Sequence, residues 1–177
     1  MPNWCENDLK IKGTSEDIDK LVTFVKGTNT DFDFNKIIPM PSALENVHKG
    51  GTHIGKNYYT HWREDPLVGI EQEELDRLKA EYGAVDWYDW SIANWGTKWN
   101  LGNNVDIKFN DNCVEYHFST AWSPPIPVIC ALAEQFPRLK FSLKYYECGC
   151  AFKGYVKYKN GILIEEGSGS YSGKRGG

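Results

Sequence analysis

Twice in this chain a run with apolar residues at every second position leads into one with apolar residues at helical spacing. Cys5, Asn7, Leu9 and Ile11 share one side of an alternating segment, with Glu6, Asp8, Lys10 and Lys12 on the other, and Gly13 closes it. Side chains on a strand point to opposite faces with period two, so this segment reads as a half-buried strand. Ile18, Leu21, Val22 and Val25 then recur at i, i+3, i+4 and i+7, the stripe a helix lays on a core. Thr14 stands three residues before Asp17, where a hydroxyl accepts an N–H left over in the first turn. Gly27 is placed for a left-handed stop. Later, Val114, Tyr116, Phe118, Thr120 and Trp122 alternate, and Ile129, Leu132, Ala133 and Phe136 form a second stripe ended by Pro137. Ser123 before Pro124 reads as an oxygen cap with proline in the first turn.

The partner strands follow the same logic. Phe32 and Phe34 alternate with Asp31, Asp33 and Asn35 and run on to Ile38, where Pro39 and Pro41 end the ladder. Val105, Ile107 and Phe109 alternate, and Asn110-Asp111-Asn112 turns the chain into the 114–122 strand as a hairpin. Leu139, Phe141, Leu143 and Tyr145 make a strand after the second helix. Beyond the Cys148-Gly149-Cys150 bend, residues 151–158 and 162–166 flank Asn160-Gly161, a strong hairpin signal.

The pattern describes an α+β ferredoxin-like sandwich, an antiparallel sheet with two helices on one face. A helical insertion stands between strands 2 and 3, and a β-hairpin ends the fold. One conflict stays open: the 32–38 and 105–109 strands both claim the same edge of the 114–122 strand. The chain reads as one domain, 1–167, with the insertion at 42–104 and a flexible Gly/Ser tail over 168–177. Within the insertion, His48 to His53 reads as an exposed loop. Ile70, Leu75, Leu78 and Tyr82 mark a Glu-rich helix ending at Gly83, and Trp87 and Trp90 a shorter one. Its few aliphatics do not supply a core of their own.

Composition narrows the function classes. The chain has 177 residues, enough for a core without disulfide staples. Its 20 Lys and Arg against 24 Asp and Glu give a net charge of −4, so global electrostatics do not favour nucleic acid; only Lys174-Arg175 and scattered strand lysines run the other way. Apolar runs are as short as Ile162-Leu163-Ile164, too short to cross a bilayer. The N-terminus has no basic region followed by an apolar run, so no secretory leader is expected. Five cysteines, an odd number, then read as reduced thiols in a cytoplasmic protein.

Several phrases together resemble the YubB ferredoxin-like family of plasmid- and phage-encoded bacterial proteins. They are Met1-Pro2-Asn3-Trp4-Cys5 with Asn7 and Leu9, Ile38-Pro39-Met40-Pro41, Asn94-Trp95-Gly96-Thr97-Lys98-Trp99, Thr120-Ala121-Trp122-Ser123-Pro124-Pro125, and Tyr146-Glu147-Cys148-Gly149 with Phe152 and Gly154. They span nearly the whole chain in order. The resemblance implies a ferredoxin-like fold and a mobile-element origin, and it implies no particular chemistry.

Two groupings are candidate sites. With the first strand central and antiparallel to its neighbours, Trp4, Trp122, Ser123 and Glu147 come to one end of the sheet, where the second helix opens its N–H groups. The plainer alternative is that both indoles close the core and Ser123 caps its helix. The loop Asn94-Trp95-Gly96-Thr97-Lys98-Trp99 offers two rings, an amide and a cation, suited to stacking on a ring and holding an anion or carboxylate; the plainer alternative is that both tryptophans plug the insertion onto the sheet while Gly96 makes the turn. Lys98 must reach water, a carboxylate such as Glu147, the acidic face near Asp86, or a ligand. Cys5, Cys148 and Cys150 lack the paired spacing of zinc sites, and His48, His53 and His61 lack metal spacing, so no metal and no cofactor is expected.

No Ser-His-Asp order, phosphate loop or nucleotide fingerprint is present. The leading expectation is a non-catalytic accessory protein of a phage or plasmid that binds a protein partner, with counter-defence one role its origin suggests. The alternative is a nucleic-acid-binding module using sheet aromatics, which requires Tyr116, Phe118 or Tyr145 exposed beside lysines. A third is an enzyme acting on a small anionic substrate through Lys98 and Glu147.

Overall fold

The structure, a computed structural model, describes residues 2–53, 56–61 and 69–173. The side chains of His53 and His61, and the Lys174-Arg175 pair, lie outside the described residues. Two compact units form, one from Met1–Ile38 with Trp95–Gly177 and one from Pro39–Asn94. In chain order the elements are β1 (Trp4–Lys12), α1 (Ser15–Val25), α2 (Phe34–Ile37), α3 (Ser42–Glu45), β2 (Val47–His53), β3 (Lys56–His61), α4 (Gln72–Tyr82) and α5 (Trp87–Trp95). There follow β4 (Val105–Asn110), β5 (Cys113–Ala121), α6 (Ile126–Gln135), β6 (Lys140–Glu147), β7 (Phe152–Lys159) and β8 (Ile162–Ser170).

The first unit is built around β1, whose Cys5, Asn7, Leu9 and Ile11 are buried as their alternation requires. The six-stranded sheet runs β4-β5-β1-β6-β7-β8, every neighbour antiparallel. Within it, β1-α1-β4-β5-α6-β6 is the ferredoxin-like unit. Helix α1 packs on β5 and α6 on β6 and β7, and the Phe24 and Phe136 rings, 5.5 Å apart, join the two helices over the same face. Leu21, Val25, Val128, Ile129 and Leu132 are fully buried beneath them. Thr14 caps α1 by accepting the Asp17 N–H at 3.2 Å. Gly27 stops the helix without a left-handed turn; it is needed because a Cβ there would stand 2.4 Å from the Asp33 carboxylate.

No strand forms at 32–38. Asp33 accepts the Asn35 N–H at 2.9 Å and opens the short helix α2. Phe32 and Phe34 alternate because both rings turn inward: Phe32 stands 4.9 Å from Tyr116, and Phe34 5.9 Å from Trp95. An Asp between two core-facing rings imitates a strand's period while capping a helix. The contested edge of β5 goes to β4, and the insertion therefore precedes the sheet's second strand instead of following it.

At the other edge β8 continues through Ser170, so residues 168–170, expected as the start of a flexible tail, are part of the sheet. Tyr171 is held by its N–H to the Ala151 carbonyl at 2.8 Å and by stacking on Tyr146 at 4.8 Å.

The second unit is not purely helical. His48 to His53, expected as a loop, belongs to β2 and pairs antiparallel with β3. The Gly50-Gly51 pair falls at a register shift after Lys49, which breaks the alternation that marks a strand. Helix α4 buries Leu75 and Leu78 and ends at Gly83 with φ +75, whose N–H reaches the Lys79 carbonyl at 3.0 Å. Among the described residues no helix is long and apolar enough to cross a membrane.

Candidate functional site

Trp4 opens β1 and pairs with Ala121, the last residue of β5. The next residue, Trp122, has φ +68 and donates its N–H to the Asn3 carbonyl at 2.9 Å. A left-handed backbone is costly for so large a side chain and turns its ring away from the line of the strand. Gly96, at φ +77, turns the incoming loop; a Cβ there would press on Pro127 at 2.8 Å. Two hydroxyls then stitch loop to sheet. Buried Thr97 donates to the Ala121 carbonyl at 2.9 Å, and Ser123 donates to the Gly96 carbonyl at 2.5 Å.

This stitching sets Lys98 and Trp99 against the strand ends. The Trp4 and Trp99 rings stand 6.2 Å apart at 41°. The Lys98 ammonium lies 4.5 Å from the Trp99 ring centre and 5.2 Å from that of Trp122. Trp4, Trp99 and Trp122 are each 39% exposed. Beside them a cleft of about 360 Å³ is lined by Trp4, Glu6, Trp99, Leu101 and Thr120, among others. Glu6 accepts the Ser119 hydroxyl at 2.8 Å on its wall. Asn100, also on the lining, is tied in place by accepting the Phe34 and Leu101 N–H groups at 2.9 and 2.8 Å and donating to Asp33 at 2.7 Å.

The expected site residues thus divide. Trp4, Lys98, Trp99 and Trp122 converge, and Ser123 holds the loop in place. Ser123 does not cap α6: its hydroxyl is given to Gly96, and the position before α6 is Pro125 with no side-chain cap. Trp95 is a core residue, 3% exposed, its indole N–H bonded to the Ile38 carbonyl at 2.9 Å. Asn94 donates to the Trp90 carbonyl at 2.9 Å within α5.

Glu147 is buried and closes its own turn, one carboxylate oxygen accepting the Gly149 N–H and the other the Cys150 N–H, both at 2.5 Å. Burial works to raise its pKa, but the Cys150 and Gly149 N–H groups outweigh it and hold the carboxyl below its ordinary value. Gly149 permits this closure, since a Cβ there would stand 2.2 Å from the Asn3 amide. Cys5, directly opposite Glu147, is buried, and desolvation together with the Glu147 charge pushes its thiol up to about 12. It is a neutral packing group at physiological pH. Cys148 and Cys150 are free thiols, and among the described residues no cluster of three His, Cys, Asp or Glu side chains is placed to hold a metal.

Sequence reasoning did not single out Thr97 or Asn100, which position the site through contacts distant in the chain. Tyr116 and Phe118, two of the rings a nucleic-acid platform was expected to expose, are buried at 0% and 4%.

Residues 94–175 match the family described as the ferredoxin-like domain in Api92-like protein. The chain is similar to YubB of Escherichia coli strain K12, 32% identical over 85 residues. That match covers 47% of this chain and 58% of the length of YubB. The fold is also similar to the crystal structure of Api92 from Yersinia pseudotuberculosis, with a TM-score of 0.58 at 13% identity, covering 98% of this chain and 99% of that one. These likenesses bear out the YubB resemblance and the ferredoxin-like fold.

Proposed function

Taking residues 94–175 as a ferredoxin-like domain of the Api92-like kind, we propose that the chain is a non-catalytic interaction protein whose Trp4, Lys98, Trp99 and Trp122 surface engages a protein partner. The observation that carries this reading is the pair of half-exposed indoles, Trp99 and Trp122, set about Lys98 with Trp4 against Trp99, in a loop stitched by Thr97 and Ser123. Tryptophan is enriched among the few residues that dominate protein interfaces. Rings ordered before binding lower the entropy lost on association.

The chemistry describes the partner. A segment presenting an apolar or aromatic side chain fits the cleft beside Trp4 and Trp99, and a carboxylate on it meets Lys98. Glu6 on the cleft wall opposes a phosphate backbone at this end of the sheet. An enzyme working through Lys98 and Glu147 is less well supported, because both Glu147 oxygens serve the turn after β6. The mobile-element origin implied by the YubB resemblance makes this an accessory protein of a phage or plasmid, with counter-defence one use of such a surface.

The test is affinity capture from the native host with nuclease present, comparing the unaltered chain with Trp99→Ala and Lys98→Ala. Expected are proteins that survive nuclease and are lost with either variant, while both variants keep the parent melting temperature. Equal recovery by all three proteins, or partners that vanish with nuclease, refutes the reading.

A further inference from the structure

The face of the sheet opposite the helices carries a second set of rings. We propose that this face, across β6, β7 and β8, binds single-stranded nucleic acid, with bases on Tyr146, Tyr155 and Tyr171 and phosphates on Lys144 and Lys153.

The net charge of −4 is not evenly spread. Strand parity puts Lys140, Lys144, Lys153, Lys157 and Lys159 on the open face of β6 and β7, against Glu165 on β8 and against Glu6 and Asp8 on β1, which stand opposite Tyr146 and Lys144. Glu165 is already engaged, accepting from Lys157 at 2.7 Å and from the Tyr155 hydroxyl at 3.0 Å. Rings and cations alternate in adjacent rows. Tyr146 pairs with Lys153 and then Gly169, while Lys144 pairs with Tyr155 and then Gly167. Tyr146 and Tyr171 are stacked at 4.8 Å and 18°, forming a ready-made ring surface.

Glycine keeps the floor clear. A Cβ at Gly167 would stand 2.7 Å from the Tyr155 ring, so that ring lies against the bare backbone, and a Cβ at Gly169 would meet nothing within 4 Å. Together these residues line a trough of about 560 Å³. Asp8 also lines it, its carboxylate bonded to His117 Nδ1 at 2.5 Å.

Rings that accept any base face, interleaved with lysines that follow a backbone, are the elements of sequence-tolerant single-strand binding. A duplex hides its base faces and gains nothing from the tyrosines. No group on this face selects for or against a 2′-hydroxyl, so RNA and DNA strands are both ligands.

The experiment is fluorescence anisotropy of the purified chain with labelled oligothymidylate and oligouridylate, a duplex of equal length, and unlabelled mononucleotide as competitor. Both single strands are expected to bind, with the duplex about tenfold weaker. Tyr155→Ala is expected to weaken binding by about tenfold. Because Tyr155 packs on Gly167, a lysine variant provides an independent arm. Lys144→Gln with Lys153→Gln should flatten the logarithmic salt dependence by about 0.7 per phosphate contact removed, without changing the melting temperature. Lys20→Gln on α1, which removes a lysine charge away from this face, should leave binding unchanged. Binding of neither single strand, equal binding of duplex, competition by mononucleotide as effective as by oligomer, or an unaltered salt slope in the double lysine variant overturns the proposal.

Discussion

Replacing Glu147 by Gln changes one atom's chemistry on a buried side chain that closes an exposed turn, and its cost can be worked from the geometry. Both carboxylate oxygens accept a backbone N–H, one from Gly149 and one from Cys150. Glutamine keeps one oxygen and presents an NH2 group to the other donor. One charge-assisted bond, worth about 1.5–3 kcal/mol, is lost outright, and its N–H, on the exposed Gly149 or Cys150, must turn to water. The surviving bond weakens from charged to neutral. The sum is about 3 kcal/mol, or a fall in melting temperature of roughly 6–12 °C for a chain of this size.

Acid should erase the difference. The folded-state pKa of Glu147 lies below its ordinary value, so its contribution is present above the unfolded pKa of about 4.3 and is lost as pH falls through the folded one. Once protonated, Glu147 resembles glutamine, with one donor and one acceptor. Thermal melts followed by circular dichroism at neutral pH and at stepwise lower pH should therefore show two curves that converge. The other carboxylates titrate identically in both proteins and cancel. A variant that melts with the parent at neutral pH, or a gap that persists undiminished into strong acid, refutes the account of this turn.

Leu21→Ala and Leu132→Ala should each cost about 2–5 kcal/mol in urea denaturation, because both side chains are fully buried under the sheet; a near-unchanged midpoint in either would mean that helix does not pack as described. At position 122 the left-handed backbone (φ +68) reverses the usual order of small residues. Trp122→Gly should be more stable than Trp122→Ala by about 1 kcal/mol, whereas an alanine variant of equal or greater stability would mean the residue is not held at positive φ.

The parts of the fold legible in the sequence are those whose signal is local. Cys5 to Ile11, Val114 to Thr120 and Phe141 to Tyr145 keep a period of two because one face of each strand meets the helices. Phe32 and Phe34 carry the same period for a different reason, an Asp cap between two inward rings, and periodicity cannot separate the two causes. Ser123 before proline has the form of a helix cap, yet its hydroxyl is taken by the Gly96 carbonyl, a tertiary partner invisible to any local rule. Topology alone was enough to bring Trp4 near Trp122. That Lys98 and Trp99 join them rests on Thr97 reaching Ala121, which leaves no periodic trace. The tyrosines of the open face were readable in principle, since Tyr146 falls out of phase with Phe141, Leu143 and Tyr145.

Charge shows most plainly why a sequence total and a folded surface can point to different partners. A formal sum of −4 weighs every residue equally, but a ligand meets the field of one face. Strand parity sorts the lysines of β6 and β7 onto the side away from the helices. The acidic residues lie largely elsewhere, as in α4, where Glu74 and Glu81 pair with Arg77. The fold also places the two candidate surfaces apart in chemistry: indoles around Lys98 with Glu6 on the cleft wall, and tyrosines interleaved with lysines over bare glycine. The first sets a single lysine beside Glu6, whereas the second sets five lysines against Glu165 and the Glu6 and Asp8 at its β1 border, so the balance favours a phosphate backbone only at the second. Loss of protein capture in Trp99→Ala and loss of oligonucleotide binding in Lys144→Gln with Lys153→Gln should therefore be separable, each variant retaining the function the other lacks.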